Sequence, residues 1–482
     1  MAAHAQLPAL LAQLLTLRAH PRRRSSGRKR LLRAYALVAA LALALLAPAA
    51  AASGSPAPIA ATQWSAPAVL GDCSANVAPE IVFPDDKPDH ATGAGAIVWS
   101  ASGRCRGGAG ARVAAIGARD LPGPSLAPRT AAGAPLTPMG ELAVAGAPHG
   151  DIVIAGATAG AQAQGLLIEG AAGGPFAPLA SAGEAAAPLA LTNAYRGDLA
   201  LAAAERAHGG VRVRVQPRFA GGFDRSVAAS GNGSGAPRAL SVAMDFRSDA
   251  FAAWAEDGAI YARDLPVSGA KRPVQRLATV GADVTLSALL SDDNRAIVAW
   301  VEQRGASTSV YLDQSATGVR FGVPRLLERF RDPDGIPSPA ASPRLVRLSS
   351  ESVMLAWAGV AGGHWAIDTA AIDQQGLRTI STIATAGRDD LLADLAPGPL
   401  GEALVLWSEP QPGTGGQAIF SARGTESAPG RTYFGEPEQL APAGPNSDPR
   451  VAFDPASDRA VAVWRDARTT IEYAIRSSSS GL

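Results

Sequence analysis

The chain has 482 residues, long enough for several domains or for one large repeat array. Its 52 Gly and 37 Pro favour short strands and turns over long helices, and aromatics at only 5% leave an interior of Ala, Val and Leu. The formal charge of +1 is the sum of two unequal parts: residues 1–52 hold eight Lys or Arg and no acid, so the remainder carries −7, which excludes a basic nucleic-acid-binding surface as its main feature.

Residues 1–52 have the grammar of a signal peptide. Arg22, Arg23, Arg24, Arg28, Lys29, Arg30 and Arg33 form a basic region, Tyr35 to Leu46 an apolar one, and Ala50 to Ala52 a small-residue cleavage site. Export to a secreted, extracytoplasmic location is therefore expected, with no stable membrane span after cleavage. Residues 53–62 read as a linker. Cys73 and Cys105 are the only cysteines, and in an oxidising compartment two thiols without nearby His are expected to form a disulfide.

From residue 63 onward one pattern recurs. Short apolar strands end at Trp99, Trp254, Trp300, Trp357, Trp407 and Trp464, and Gly156 and Ala203 fall in the same frame, 46 to 57 residues apart. Each is preceded by a strand and an Asp/Ser/Pro/Gly turn, and followed by an alternating strand and a polar edge strand that often carries Pro. Inner strands buried on both faces and a wet outer strand suggest a four-stranded propeller blade rather than a sandwich. The expected fold is all-β, one propeller over residues 63–482. Eight blades are expected, with seven as the alternative because Gly156 and Ala203 have lost the Trp. The last repeat stops after its third strand, while Gln63 to Leu70 matches the fourth, so the N-terminal strand is expected to complete the C-terminal blade. That geometry also puts Cys73 and Cys105 on one face.

The Ala-Val-Ala-Val-Trp type of strand at Ala460 to Trp464, following an Asp/Ser turn, resembles the repeats of secreted bacterial β-propellers, which are loosely related to sialidase-like and WD40-like propeller folds. The resemblance spans about residues 60–482 and implies a fold, not a chemistry. The Asp-box of sialidases is absent.

Two residues beyond the anchor stand Glu205, Glu256, Glu302, Glu409 and Asp466, five carboxylates expected on one face of the ring. Such a ring suits a cation or the hydroxyls of a glycan. The competing reading, favoured by their repetition, is that each accepts hydrogen bonds in its own hairpin. Asp332-Pro-Asp334-Gly335 lacks the later acids of a calcium loop and reads as a solvated turn, as do Asp292-Asp293 and Asp389-Asp390. Tyr261, Tyr311 and Tyr473 are expected at equivalent third-strand positions, which argues for packing. The histidines are scattered, with no metal spacing, and there is no Gly-x-Ser-x-Gly elbow. No catalytic residue and no metal ligand is assigned. No cofactor is expected, a structural cation such as calcium being the one left open. The expected function is a monomeric, secreted binding or scaffold module for a protein or polysaccharide ligand. The alternative is a glycan-directed hydrolase or lyase at the channel mouth.

Overall fold

The computed structural model describes most of residues 64–476; the undescribed stretches are 1–63, 477–482 and connecting segments such as 72–76, 85–94, 102–108, 118–128 and 131–138. The expected signal segment, the linker and both Cys73 and Cys105 lie outside the described residues.

The strands form eight antiparallel sheets, seven of them built from consecutive strands and the eighth completed by the N-terminal strand, and the molecule is an eight-bladed β-propeller. The innermost strands of blades 1 to 8 are Glu80–Val82, Met139–Gly146, Ala185–Asn193, Ala239–Met244, Asp283–Leu290, Arg344–Arg347, Leu391–Gly398 and Ser447–Phe453. Each touches the next around the ring, and the last returns to the first. The second strands bury almost every residue, as in Ala250–Glu256 and Ala460–Asp466, because both of their faces meet neighbouring blades. Gly156 and Ala203 sit in true blades. Around Ala203 the volume of the missing indole is supplied by Leu189 and Phe223, which pack in the same cluster.

The ring closes as the sequence implies. Ala68–Gly71 pairs with the third strand of blade 8, Thr470–Arg476, through Ala68 opposite Tyr473. Trp64 adds a bridge to Arg476 and donates its indole N–H to Ser421 Oγ of blade 7 at 3.0 Å. Blade 7 departs from four strands: two segments, Arg431–Phe434 and Glu438–Gly444, pair successively with its long third strand Gln417–Ala428.

Neighbouring inner strands are not ladder-paired, so their channel-side N–H groups need other acceptors. Side chains of the preceding blade supply them. Glu141 accepts from Leu189 N (3.2 Å), Ser241 from Ala288 N (3.0 Å), Ser287 from Leu345 N (3.3 Å) and Asp394 from Val451 N (3.0 Å). These bonds hold successive blades at one level around the channel.

Candidate functional site

The six anchor tryptophans are all at most 1% exposed. In blades 4, 5 and 7 the third strand sets an aromatic ring on the indole: Tyr261 on Trp254 (centroids 5.8 Å apart), Tyr311 on Trp300 (5.4 Å) and Phe420 on Trp407 (5.9 Å). In blades 1, 6 and 8 the register puts Arg112, Asp368 and Glu472 in that place. Tyr473 is thus not the equivalent of Tyr261 and Tyr311. It pairs with Val463, one residue off, and Glu472 takes the position and accepts the Trp464 N–H at 3.1 Å.

The five carboxylates lie one per blade, at the ends of five separate second strands. Glu205 forms a two-pronged pair with Arg212 of its own hairpin, Nε to Oε1 at 2.7 Å and Nη2 to Oε2 at 2.9 Å. Glu302 accepts from Gly281 N and from Arg304 Nε, both at 2.6 Å. Glu409 is buried and accepts from Gln411 Nε2 at 2.6 Å. Glu256 is buried, and Asp466 is half-buried beside Glu472, whose pKa is raised by burial and by that neighbouring charge. Among the described contacts none of the five meets another. In blade 6 the equivalent residue is Gly359, and the carboxylates of Asp368 and Glu328 occupy the space its side chain would need.

The other acids read as solvated turns are mostly structural. Asp332 is buried, accepting from Gln303 Nε2 (2.7 Å) and Thr308 Oγ1 (2.8 Å). Asp390 is fully buried, Asp389 accepts from Trp365 N at 2.9 Å, and Asp292 pairs with Arg347 at 2.7 Å. A short polar side chain near a backbone turn gains more from such bonds than from water alone.

Two further places gather chemistry. The first is a belt in the channel. The inner-strand residues paired with the position just before each anchor are Glu80, Ala143, Ala190, Ser241, Ser287, Arg344, Asp394 and Arg450. Blades 2 to 5 contribute only Ala and Ser, while blades 6, 7, 8 and 1 contribute alternating charge. Arg344 Nε lies 3.5 Å from Asp394, and Arg450 Nε lies 3.5 Å from Glu80. Burial raises the pKa of Glu80 against the pull of Arg450. Asp394 borders a cavity of about 710 Å³ that widens past apolar walls, including Val242, Met244, Leu290 and Phe453, towards Asp245 and Arg347.

The second place is a groove of about 470 Å³ between the outer strand of blade 4, Gln275–Thr279, and the outer half of blade 5. Ala278, Thr279, Trp300, Glu302, Arg304, Ser307, Ser309, Tyr311, Pro324 and Arg329 line it. Arg329 bonds Ser309 Oγ at 3.1 Å and approaches the Tyr311 hydroxyl at 3.4 Å. An adjoining cavity of about 530 Å³ adds Arg331. Flat aromatic surface, hydroxyls and guanidinium groups thus share one wall. Of the five carboxylates singled out from sequence, only Glu302 belongs here, together with Trp300 and Tyr311, which the sequence marks for packing. Arg304 and Arg329 join Tyr311 only because the outer strand folds back over the hairpin. Among the described residues no three His, Cys, Asp or Glu side chains gather as metal ligands.

No family model matches the chain, and no curated protein matches it. Solved structures do. A polysaccharide lyase described as an ulvan lyase aligns at 9% identity and TM-score 0.46, over 85% of this chain and 95% of that one. The Aleuria aurantia lectin in complex with Fucα1-6GlcNAc aligns at 13% identity and TM-score 0.33, over 61% of this chain and 92% of that one. A prolyl endopeptidase aligns at 13% identity and TM-score 0.37, over 66% of this chain, which spans 44% of that protein's length. At these scores nothing about activity or ligand transfers, and the propeller assignment stands on the blade topology itself.

Proposed function

We propose that this chain is an extracytoplasmic binding propeller that engages a polysaccharide at its rim. The observation that supports the reading is the groove between blades 4 and 5. It presents the half-buried ring of Tyr311, backed by the buried Trp300, beside Ser307, Ser309, Thr279 and Arg329, the combination of apolar face and convergent donors that suits a sugar ring. A protein ligand would want a wider surface than this. Propellers hold such side chains on a rigid frame, which limits the ordering cost of binding. The test is affinity electrophoresis and a glycan array with the purified chain, beside a Tyr311→Ala variant. Retention by at least one polysaccharide, reduced about tenfold in the variant, is the expected result. No retention by any polysaccharide rejects the reading.

A second reading, a hydrolase or lyase at the channel mouth, draws support from the belt. There two carboxylates and two arginines form adjacent ion pairs, of which Asp394 borders the large cavity, and burial raises the pKa of Glu80. Turnover of chromogenic glycosides that disappears in Glu80→Gln would favour it over the binding role.

A further inference from the structure

Blades 4 and 5 and blades 5 and 6 make the same kind of interface, and the two differ at one informative position. In blade 5 the residue after the anchor, Val301, pairs with Val310, which pairs with Glu328 on the outer strand. In blade 4 the same path runs from Ala255 through Ile260 to Ala278. Glu328 and Ala278 are therefore structural equivalents. Glu328 reaches into blade 6, where its Oε2 accepts the indole N–H of Trp357 at 2.6 Å. Ala278 has no such reach, and the space it leaves is part of the groove. The indole N–H of Trp300, the counterpart of Trp357, is buried and has no hydrogen-bond partner. Trp254 and Trp407 share that unpartnered N–H; what Trp300 adds is an open cavity at its side with two guanidinium groups in the wall.

The charge of the groove matches the vacancy. Arg304 and Arg329 line it, Arg331 lines the cavity beside it, and Arg276 is tied to its edge through Thr279 Oγ1 at 2.9 Å. Glu302 is the one acid in the lining, and it is already engaged by Gly281 N and Arg304. A groove with excess guanidinium, hydroxyls and a buried unpaired donor selects for an acceptor-rich anion, and arginine binds planar carboxylates and sulfates through paired N–H groups.

We infer that the groove between blades 4 and 5 is a subsite for an acidic saccharide, whose carboxylate or sulfate takes the place that Glu328 fills at the next interface. The inference rests on the saccharide-binding reading above and narrows its ligand class. Tyr311 receives the sugar ring, Arg329 and Arg304 the anion, and the serine hydroxyls the ring substituents.

The test uses the full chain and calorimetric titration with four probes: a glucuronate-terminated oligosaccharide, a sulfated oligosaccharide, an uncharged oligosaccharide of the same length, and a short poly-glutamate peptide. At least one acidic sugar should bind ten times more tightly than the uncharged one, and which of the two does so identifies the anion. Ala278→Glu, which places in the groove the carboxylate its equivalent position already carries, should remove that binding at least tenfold without lowering the thermal midpoint. Arg329→Gln should weaken acidic sugars and leave the uncharged one unchanged. Equal binding of charged and uncharged sugars overturns the inference while leaving a saccharide-binding propeller. Binding that survives Ala278→Glu places the ligand elsewhere and also overturns it. Equal binding of the peptide removes the sugar specificity, and failure of every saccharide removes both readings.

Discussion

The interface between blades 5 and 6 is joined by a pair of acids, and its strength should depend on pH. Glu328 lies on the outer strand of blade 5, Arg325–Arg331, and Asp368 on the third strand of blade 6, His364–Asp373. Trp357 Nε1 donates to Glu328 at 2.6 Å, and Thr382 Oγ1 donates to Asp368 at 2.5 Å. Burial first, and then the charge of Asp368, raises Glu328 from 4.5 to about 7; burial also raises Asp368. The shared proton therefore sits on Glu328, which donates it to Asp368. Because the folded pKa lies above the unfolded one, the stabilisation is complete below about pH 4.5 and is lost as pH rises through about 7. A shift of this width corresponds to about 3.4 kcal/mol at roughly 1.4 kcal/mol per unit. Glu328 is only partly buried, so screening reduces this to about 1–2 kcal/mol. Glu328→Gln keeps an acceptor for Trp357 and gives Asp368 a permanent donor, but it cannot ionise. Denaturant unfolding should find variant and wild type within about 0.5 kcal/mol at pH 5, and the variant more stable by about 1–2 kcal/mol at pH 8. Parallel pH profiles for the two proteins would refute the shared proton.

Two other outcomes follow from the packing. Gly359→Ala would drive a methyl into Asp368 Oδ2 and to within 2.8 Å of Glu328 Oε2, and should lower stability by about 1–3 kcal/mol, checked by denaturant midpoint. Deleting residues 53–71 removes the outer strand of blade 8 and bares the edge of Thr470–Arg476; size-exclusion chromatography should show oligomers or aggregate, and a monomer of unchanged stability would count against the ring closure.

The parts of this molecule that sequence reveals are those repeated in every blade. An apolar strand ending in Trp can be found by eye because both its faces are buried. The closing strand at Ala68–Gly71 follows because a four-part repeat that ends one part short must find its fourth elsewhere. The sites are harder to see, for a geometric reason. Their residues occupy equivalent positions only after strand irregularities are counted. Bulges lie between Leu392 and Asp394 in blade 7, between Ser447 and Arg450 in blade 8, and between the pairings of Val310 and Tyr311 in blade 5. Each shifts the distance from the anchor, and a one-residue shift moves a side chain to the other face. Tyr473 differs from Tyr261 and Tyr311 for another reason: the register of the blade 8 hairpin, which has no bulge, places Glu472 opposite Trp464 and sets Tyr473 one residue off.

The same reasoning separates repetition from function in this ring. The acids after the anchor recur, and those whose partners are clear are engaged within their own hairpins or nearby loops, as Glu205 is by Arg212 and Glu302 by Gly281. A feature required to finish each blade should look like this. The channel belt breaks the repeat instead, and beside the groove it is the neighbouring interface that departs from it. Charge fills four consecutive blades of the belt and is missing from the other four; on the outer strands Ala278 and its blade 7 counterpart Ala441 agree, and Glu328 is the departure that joins blades 5 and 6. The Trp300 N–H shares its unpaired state with Trp254 and Trp407, but of the three only Trp300 lines the arginine-bearing groove, where an acceptor could meet it as Glu328 meets Trp357. An unmet donor beside a cavity rich in arginine is a local cost to the fold, and a ligand that brings its own carboxylate or sulfate would offset it.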